Sequence, residues 1–314
     1  VYKRQPQSNI LCGLFFAVFG DYNNMKKFFD LNKKGFAAYM PLFALCAAAV
    51  LHYVLLLAGF KYADAFFFLA VCALAAFMLF KSPLNNKHKI IIFVCLVAFA
   101  VAYLIFIHDI SVPVASFAVK NPISFAFLGA VFDTFGMLDF ARLPLYSSVG
   151  GMRIITGETA VGLCELAQKS ISSDAGTLLA VRALSVFAAC GSLLNVKCDK
   201  IIKFTICAAC LLTGNICPAL VFLLFVSPAG YFFLLLLLGA QAIVCSFMSF
   251  SAVYAFAPSV YEIFMLTSNK TLLAAVCALS LAASYCAARR AASRKKAIMK
   301  LFGKKILKKH RRGG

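Results

Sequence analysis

Long apolar runs separated by short polar loops dominate this chain. A helix that crosses a bilayer needs about 20 mostly apolar residues. Runs of that kind lie at 36–59, 65–80, 89–107, 177–195, 201–214, 229–247 and 271–288, the second short enough to be tilted or extended beyond its run. Segment 10–19 is too short alone and reads as the stump of a truncated helix. Residues 122–138, with Asp133 and Gly136, and 248–266, with Pro258 and Glu262, are only half hydrophobic, and 139–175 is a mixture too long for a plain loop. Such pieces predict re-entrant hairpins rather than full crossings. The pattern therefore predicts an all-α, polytopic helical membrane protein with broken helices and re-entrant hairpins in its C-terminal half.

The stretch 212–228 carries the strongest functional signal. It sets Gly214, Asn215 and Pro218 inside otherwise membrane-grade hydrophobic sequence. A helix that only crosses lipid has no use for such a break, because each freed backbone group must find another partner. Transporters build substrate sites from broken helices of this kind. The expected organisation follows. Residues 1–9 begin Val-Tyr-Lys-Arg-Gln without an initiator Met and are left out of the fold reasoning, the chain reading as truncated, with further helices ahead of it. Residues 10–107 form a scaffold half, 108–122 a linker, 123–288 a transport half with re-entrant segments, and 289–314 a basic tail.

Composition agrees with a membrane chain. It is 63% hydrophobic and 13% charged, where soluble domains are closer to half apolar and a quarter charged. Trp is absent, so Tyr and Phe take over the interfacial belt. The net charge of +20 is concentrated in the tail from Arg289 to Arg312, directly after the last apolar run. Juxtamembrane Lys and Arg mark the cytoplasmic side and attract anionic lipids, and interleaved Ile298, Leu301, Phe302, Ile306 and Leu307 suit an amphipathic surface helix. This placement argues for lipid and against nucleic acid as the tail's partner. Basic loops at Lys26–Lys34, Lys81–Lys89 and Lys197–Lys203 are assigned to the same, cytoplasmic side. Most of the thirteen Cys lie inside apolar runs as small hydrophobes. The Cys207/Cys210 pair has redox spacing without the fold that motif needs. His52, His88, His108 and His310 are too scattered for a zinc site, and neither a metal nor a cofactor is expected.

Acidic residues at membrane depth are costly and mark functional sites. Asp133 and Asp139 are six apart, with Gly136 between them to bend the helix. They form a ligand or ion site, or Asp139 pairs with Arg142 at i,i+3. Glu158 and Glu165 flank Gly162. Arg182, in an apolar helix, needs a partner, for which Glu165 and Asp174 are the candidates, or it snorkels. Asn215 either hydrogen-bonds a ligand hydroxyl or satisfies the backbone freed at Pro218.

From about residue 120 the sequence resembles the enzyme IIC sugar permease of the bacterial phosphoenolpyruvate-dependent phosphotransferase system, glucose/N-acetylglucosamine branch. Gly150-Gly151 and Thr156 to Gly162 look like the family's Gly-Gly and Ala-Gly-Asp-x-Thr-Ala-Gly. Lys200 to Lys203, then Leu212-Thr213-Gly214, look like its basic loop and Leu-Thr-Gly. Cys217-Pro218 through Phe225-Val226-Ser227-Pro228 looks like Glu-Pro-x-Glu-Phe-x-x-x-Phe-Val-Ala-Pro, and Ser249 to Ala252 like Phe-Ser-Ala-Gly. The resemblance implies a homodimeric permease of the bacterial cell membrane that binds a sugar at mid-membrane and moves it inward. A separate cytoplasmic IIB protein then phosphorylates the sugar. The chain itself has no IIB-like Cys-x-x-Arg-x-Arg motif, so it is a transporter and part of a phosphotransferase only with that partner. With the polar groups at membrane depth, the candidate substrate-binding positions are Asn215, Cys217, Asp139, Asp133 and Glu158, the last near the substrate path by the resemblance or else a solvated loop carboxylate, with no catalytic residue. The departures fall on sugar contacts: Cys217 and Leu220 stand where the family has carboxylates, and Gly136 to Asp139 where it has paired His. Unpaired sugar hydroxyls would cost about 1–3 kcal/mol each. The alternative is a degenerate IIC-like scaffold or sensor that no longer transports.

Overall fold

The structure, a computed structural model, describes residues 40–60, 62–81, 85–138, 173–196, 198–252, 254, 256–267 and 269–310. Every regular element among them is an α-helix: α1 Met40–Leu57, α2 Ala63–Lys81, α3 Asn86–Lys120, α4 Pro122–Thr134, α5 Ser173–Leu194, α6 Lys200–Thr213, α7 Cys217–Val226, α8 Pro228–Phe247, α9 Val260–Leu266 and α10 Lys270–His310. Six of them hold segments long and apolar enough to cross a membrane, in α1, α2, α3, α5, α8 and α10. The all-α membrane architecture is therefore as expected. The run 201–214 is not a crossing of its own. As α6 it has 14 residues, short of a crossing, and α7 adds 10 more after the Gly214 break. The expected linker at 108–122 is also largely helical, because α3 runs through Pro113 to Lys120 before Asn121 starts α4. The tail continues α10 without a break, giving a 41-residue helix of about 60 Å.

Helix α5 is the hub. It packs against α10, α8, α6 and α4, and its inward residues are small: Ala180, Ala183, Ala188 and Ala189 are fully buried. Small residues let membrane helices approach closely, where packing rather than a hydrophobic drive holds them. At Gly191 a Cβ would lie 2.1 Å from Ser284 Oγ and 2.3 Å from the Leu281 carbonyl of α10. Only glycine permits that approach. Polar side chains fasten the same group: Gln241 of α8 donates to Ser280 Oγ of α10 at 2.6 Å, and Ser280 donates to the Leu184 carbonyl of α5 at 3.1 Å. The hairpin of α1 and α2 sits to one side, with α1 against α6 and α7 and α2 against α3.

Candidate functional site

The break between α6 and α7 is built by Gly214. It takes φ +67°, in the left-handed region, and donates to the Cys210 carbonyl at 2.8 Å, closing α6. A side chain is barred there twice, since a Cβ would also come within 2.6–2.7 Å of backbone atoms of Pro258 and Ser259. Thr213 and Asn215 then take up freed polar groups. Thr213 Oγ1 donates to the Ala209 carbonyl at 2.7 Å and accepts from Asn215 N at 3.2 Å. Asn215 Oδ1 accepts from Cys217 N at 3.0 Å and so starts α7, whose Pro218 needs no donor partner in the first turn. The Asn215 side-chain amide Nδ2 is buried with no hydrogen-bond partner.

Of the two roles that sequence reasoning offered for Asn215, its oxygen takes the backbone one. The C-terminal end of α4 meets this break. Cys217 Sγ lies 3.8 Å from the Thr134 carbonyl, and Thr134 Oγ1 lies 2.9 Å from Tyr231 Oη of α8. The residue before Thr134 is Asp133, fully buried and ion-paired with Nη1 of Arg182 on α5. The structure gives Arg182 a partner in Asp133, because α4 packs across α5 at this level; of the candidates expected beside snorkelling, Glu165 and the side chain of Asp174 lie outside what is described. A small cavity of about 20 Å³ adjoins the pair, lined by Arg182 and Ser185 of α5, Phe125 and Gly129 of α4, Ile216 of the break and Leu238 of α8. A cavity of that size holds about one water.

Three of the expected site residues, Asp133, Asn215 and Cys217, thus converge where α4 ends and α7 begins. Cys217 faces inward rather than toward the cavity, packed with Leu45, Ala49, Phe67 and Leu138. Leu220 is likewise wholly buried. Asp139 and Glu158 lie outside the described residues, as do Arg142 and Glu165. Tyr231 and Ser185 join the site without having been anticipated: a Tyr opening an apolar helix and a Ser among alanines carry no distinguishing local pattern. Among the described residues no cluster of His, Cys, Asp and Glu could hold a metal. No family model, no curated protein and no solved structure matches the chain.

Proposed function

We propose that the chain is a permease-type membrane transporter that binds a small polyhydroxy substrate at the junction of α4, α5 and the α6–α7 break. The observation that carries this reading is the Asp133–Arg182 pair buried beside an interrupted helix. A buried ion pair contributes little net stability and apolar residues often replace it without loss. Its presence where two helix ends meet, next to a buried amide with a spare donor, supports a binding role. The sugar class and inward transport for phosphorylation by a cytoplasmic IIB partner rest on the enzyme IIC resemblance. So do the homodimer and the bacterial cell membrane; the cytoplasmic, lipid-facing tail rests on charge placement. Drug-sized ligand pockets run to about 300–1,000 Å³, so a site with room for one water is a closed state. Opening requires α6–α7 to move against α4 and α5.

A degenerate, non-transporting scaffold is the second reading. It is favoured by Cys217 and Leu220, which occupy the expected carboxylate positions as fully buried apolar groups. Thermal unfolding of the purified protein against glucose, N-acetylglucosamine and related sugars separates the two. A sugar at a hundred times its dissociation constant adds about 2.7 kcal/mol to the folded state. The permease reading expects a saturable shift that disappears in Asn215→Ser, whose hydroxyl keeps the cap on Cys217 but drops the amide donor. A well-folded protein that no sugar shifts supports the scaffold.

A further inference from the structure

The direction of each helix around the break follows from its contacts. Lys203 Nζ donates to the Leu194 carbonyl at 3.1 Å, and Cys190 Sγ lies 3.9 Å from the Cys207 carbonyl. Helix α6 therefore runs back along α5 from its Leu194 end. Ile216, just past the break, lines the cavity beside Val181, Arg182 and Ser185. Helix α7 then reverses. Its Ala219, Leu220, Phe222 and Leu223 share a core with Val186 to Leu193 of α5 and with Tyr231 to Leu238 of α8. The core at the other end of α5, around Leu178 to Leu184, takes Ala242 and Cys245 of α8 and, among the described residues, nothing from α7. Cys210 of α6 also lies against the backbone of Ala219, nine positions on, where a straight helix would hold it about 14 Å away.

Helix α8 starts at Pro228, directly after Ser227, and pairs with α5 in the antiparallel sense, so its first turn is at the Leu194 end. The α6–α7 pair thus begins and ends at one end of the bundle. Helix α10 is parallel to α5: Leu273 and Cys277 lie by Leu178 to Leu184, and Leu281 and Ser284 lie by Gly191. The basic tail leaves at that same end. Leu42 and Phe43 of α1 pack on the Leu194-end core, while Leu56 meets Phe256 at the other end. Helix α2 is folded back on α1, with His52 Nε2 and Asp64 Oδ1 2.8 Å apart. Lys81, which closes α2, and Lys89 of α3, whose Nζ donates to the Phe80 carbonyl, therefore share a face with Lys200, Lys203 and Arg289.

On the far side the tip of α6–α7 is shut in. Gly214 rests on Pro258–Ser259, and the strap 256–262 is tied by hydrogen bonds. Tyr53 Oη of α1 donates to Glu262 Oε1 at 2.8 Å and lies 3.2 Å from Ser259 Oγ. Glu262 Oε2 accepts from the backbone N–H groups of Phe256 and Ala257 at 2.7 and 3.3 Å. Helix α7 is fastened differently, because Pro218 to Val226 are all apolar and apolar contacts have no preferred direction. We propose that α6–α7 is a re-entrant hairpin that enters and leaves the membrane on the face of the basic loops and tail, and that its α7 arm is the gate by which the cavity opens to that face. Irregular backbone at Gly214 to Ile216 is tolerated at membrane depth where protein buries it, and broken helices of this kind line transporter sites. The strap remains as the floor. The gate rests on the permease reading for what passes it; the placement of the hairpin does not.

Side-specific labelling tests both parts. Sealed vesicles are selected through a tag on the tail, so that the tail faces outward, and treated with a membrane-impermeant maleimide; modified peptides are identified by mass spectrometry. Native Cys198, between α5 and α6, and Ser227→Cys, between α7 and α8, are expected to be modified together. Lys270→Cys, at the exposed start of α10, is expected to be protected until the vesicles are permeabilised. Protection of Ser227→Cys alongside Lys270→Cys would make α6–α7 a full crossing and overturns the hairpin. For the gate, Ser185→Cys in the cavity wall is expected to react from the tail face with a small impermeant methanethiosulfonate. Reaction only after permeabilisation, or none at all, overturns the gate. None of these measurements uses a sugar, so failure of the sugar panel overturns the permease reading alone.

Discussion

Helices α3 and α5 are both membrane-grade, yet they live in opposite surroundings. The spanning part of α3 has mean hydropathy 2.7 and only 6% of its residues buried within the protein, whereas that of α5 has 1.8 and 83%. The more hydrophobic helix is the outer one. In lipid, hydrophobicity does not drive helices together, because the acyl chains are as apolar as leucine. Small and polar residues decide which helix is interior, through close approach and interhelical hydrogen bonds. Helix α5 has the alanines, Gly191, Ser185 and Arg182; α3 presents Ile90, Ile91, Val94, Val97 and Val101 outward.

The sharpest way to break this contrast is to remove half of the α5 ion pair. Asp133→Leu leaves the Arg182 guanidinium buried without that carboxylate and should lower stability by about 3–5 kcal/mol. The double change Asp133→Leu with Arg182→Met should recover most of it, read as the midpoint of unfolding in a denaturing-detergent titration. Sugar binding should not return in the double variant, which separates stability from function. A smaller effect comes from Gly191→Val. The added carbons meet Ser284 and the Leu281 carbonyl, and relieving that overlap should cost about 1–3 kcal/mol by the same titration. The least effect is expected on α3: Val97→Ala removes lipid-facing atoms and should change stability by no more than about 0.5 kcal/mol. A loss well above that in bilayers, but not in detergent, would show that a second copy covers this face.

The same contrast explains how much of the site could be read in advance. Asp133, Asn215 and Arg182 stood out because each is a polar group in a run where lipid tolerates few, and that cost is visible residue by residue. The partner of Arg182 was not visible. Forty-nine positions separate it from Asp133, and only the packing of α4 on α5 brings them together. The assignment of 201–214 as a crossing failed for a related reason: its apolar content is sufficient, but Gly214 ends the helix in a left-handed turn packed against Pro258–Ser259, forty-odd residues downstream. The His52–Asp64 pair was overlooked because neither residue has a local pattern that points to the other. The turn through Gly59, at φ +71°, folds α2 back so that positions twelve apart face each other.

By itself, then, the sequence determined the apolar character of this chain, the six helices long and apolar enough to cross a membrane, and the point where the 201–228 run is interrupted, because each of these follows from summing local transfer costs along the backbone. Tertiary structure alone decided which crossing is central, which charges neutralise one another, and that the break is strapped to a distant hairpin. Those outcomes depend on contacts between residues far apart in the chain, where a methyl group more or less at Gly191 or Gly214 determines whether two backbones can meet at all.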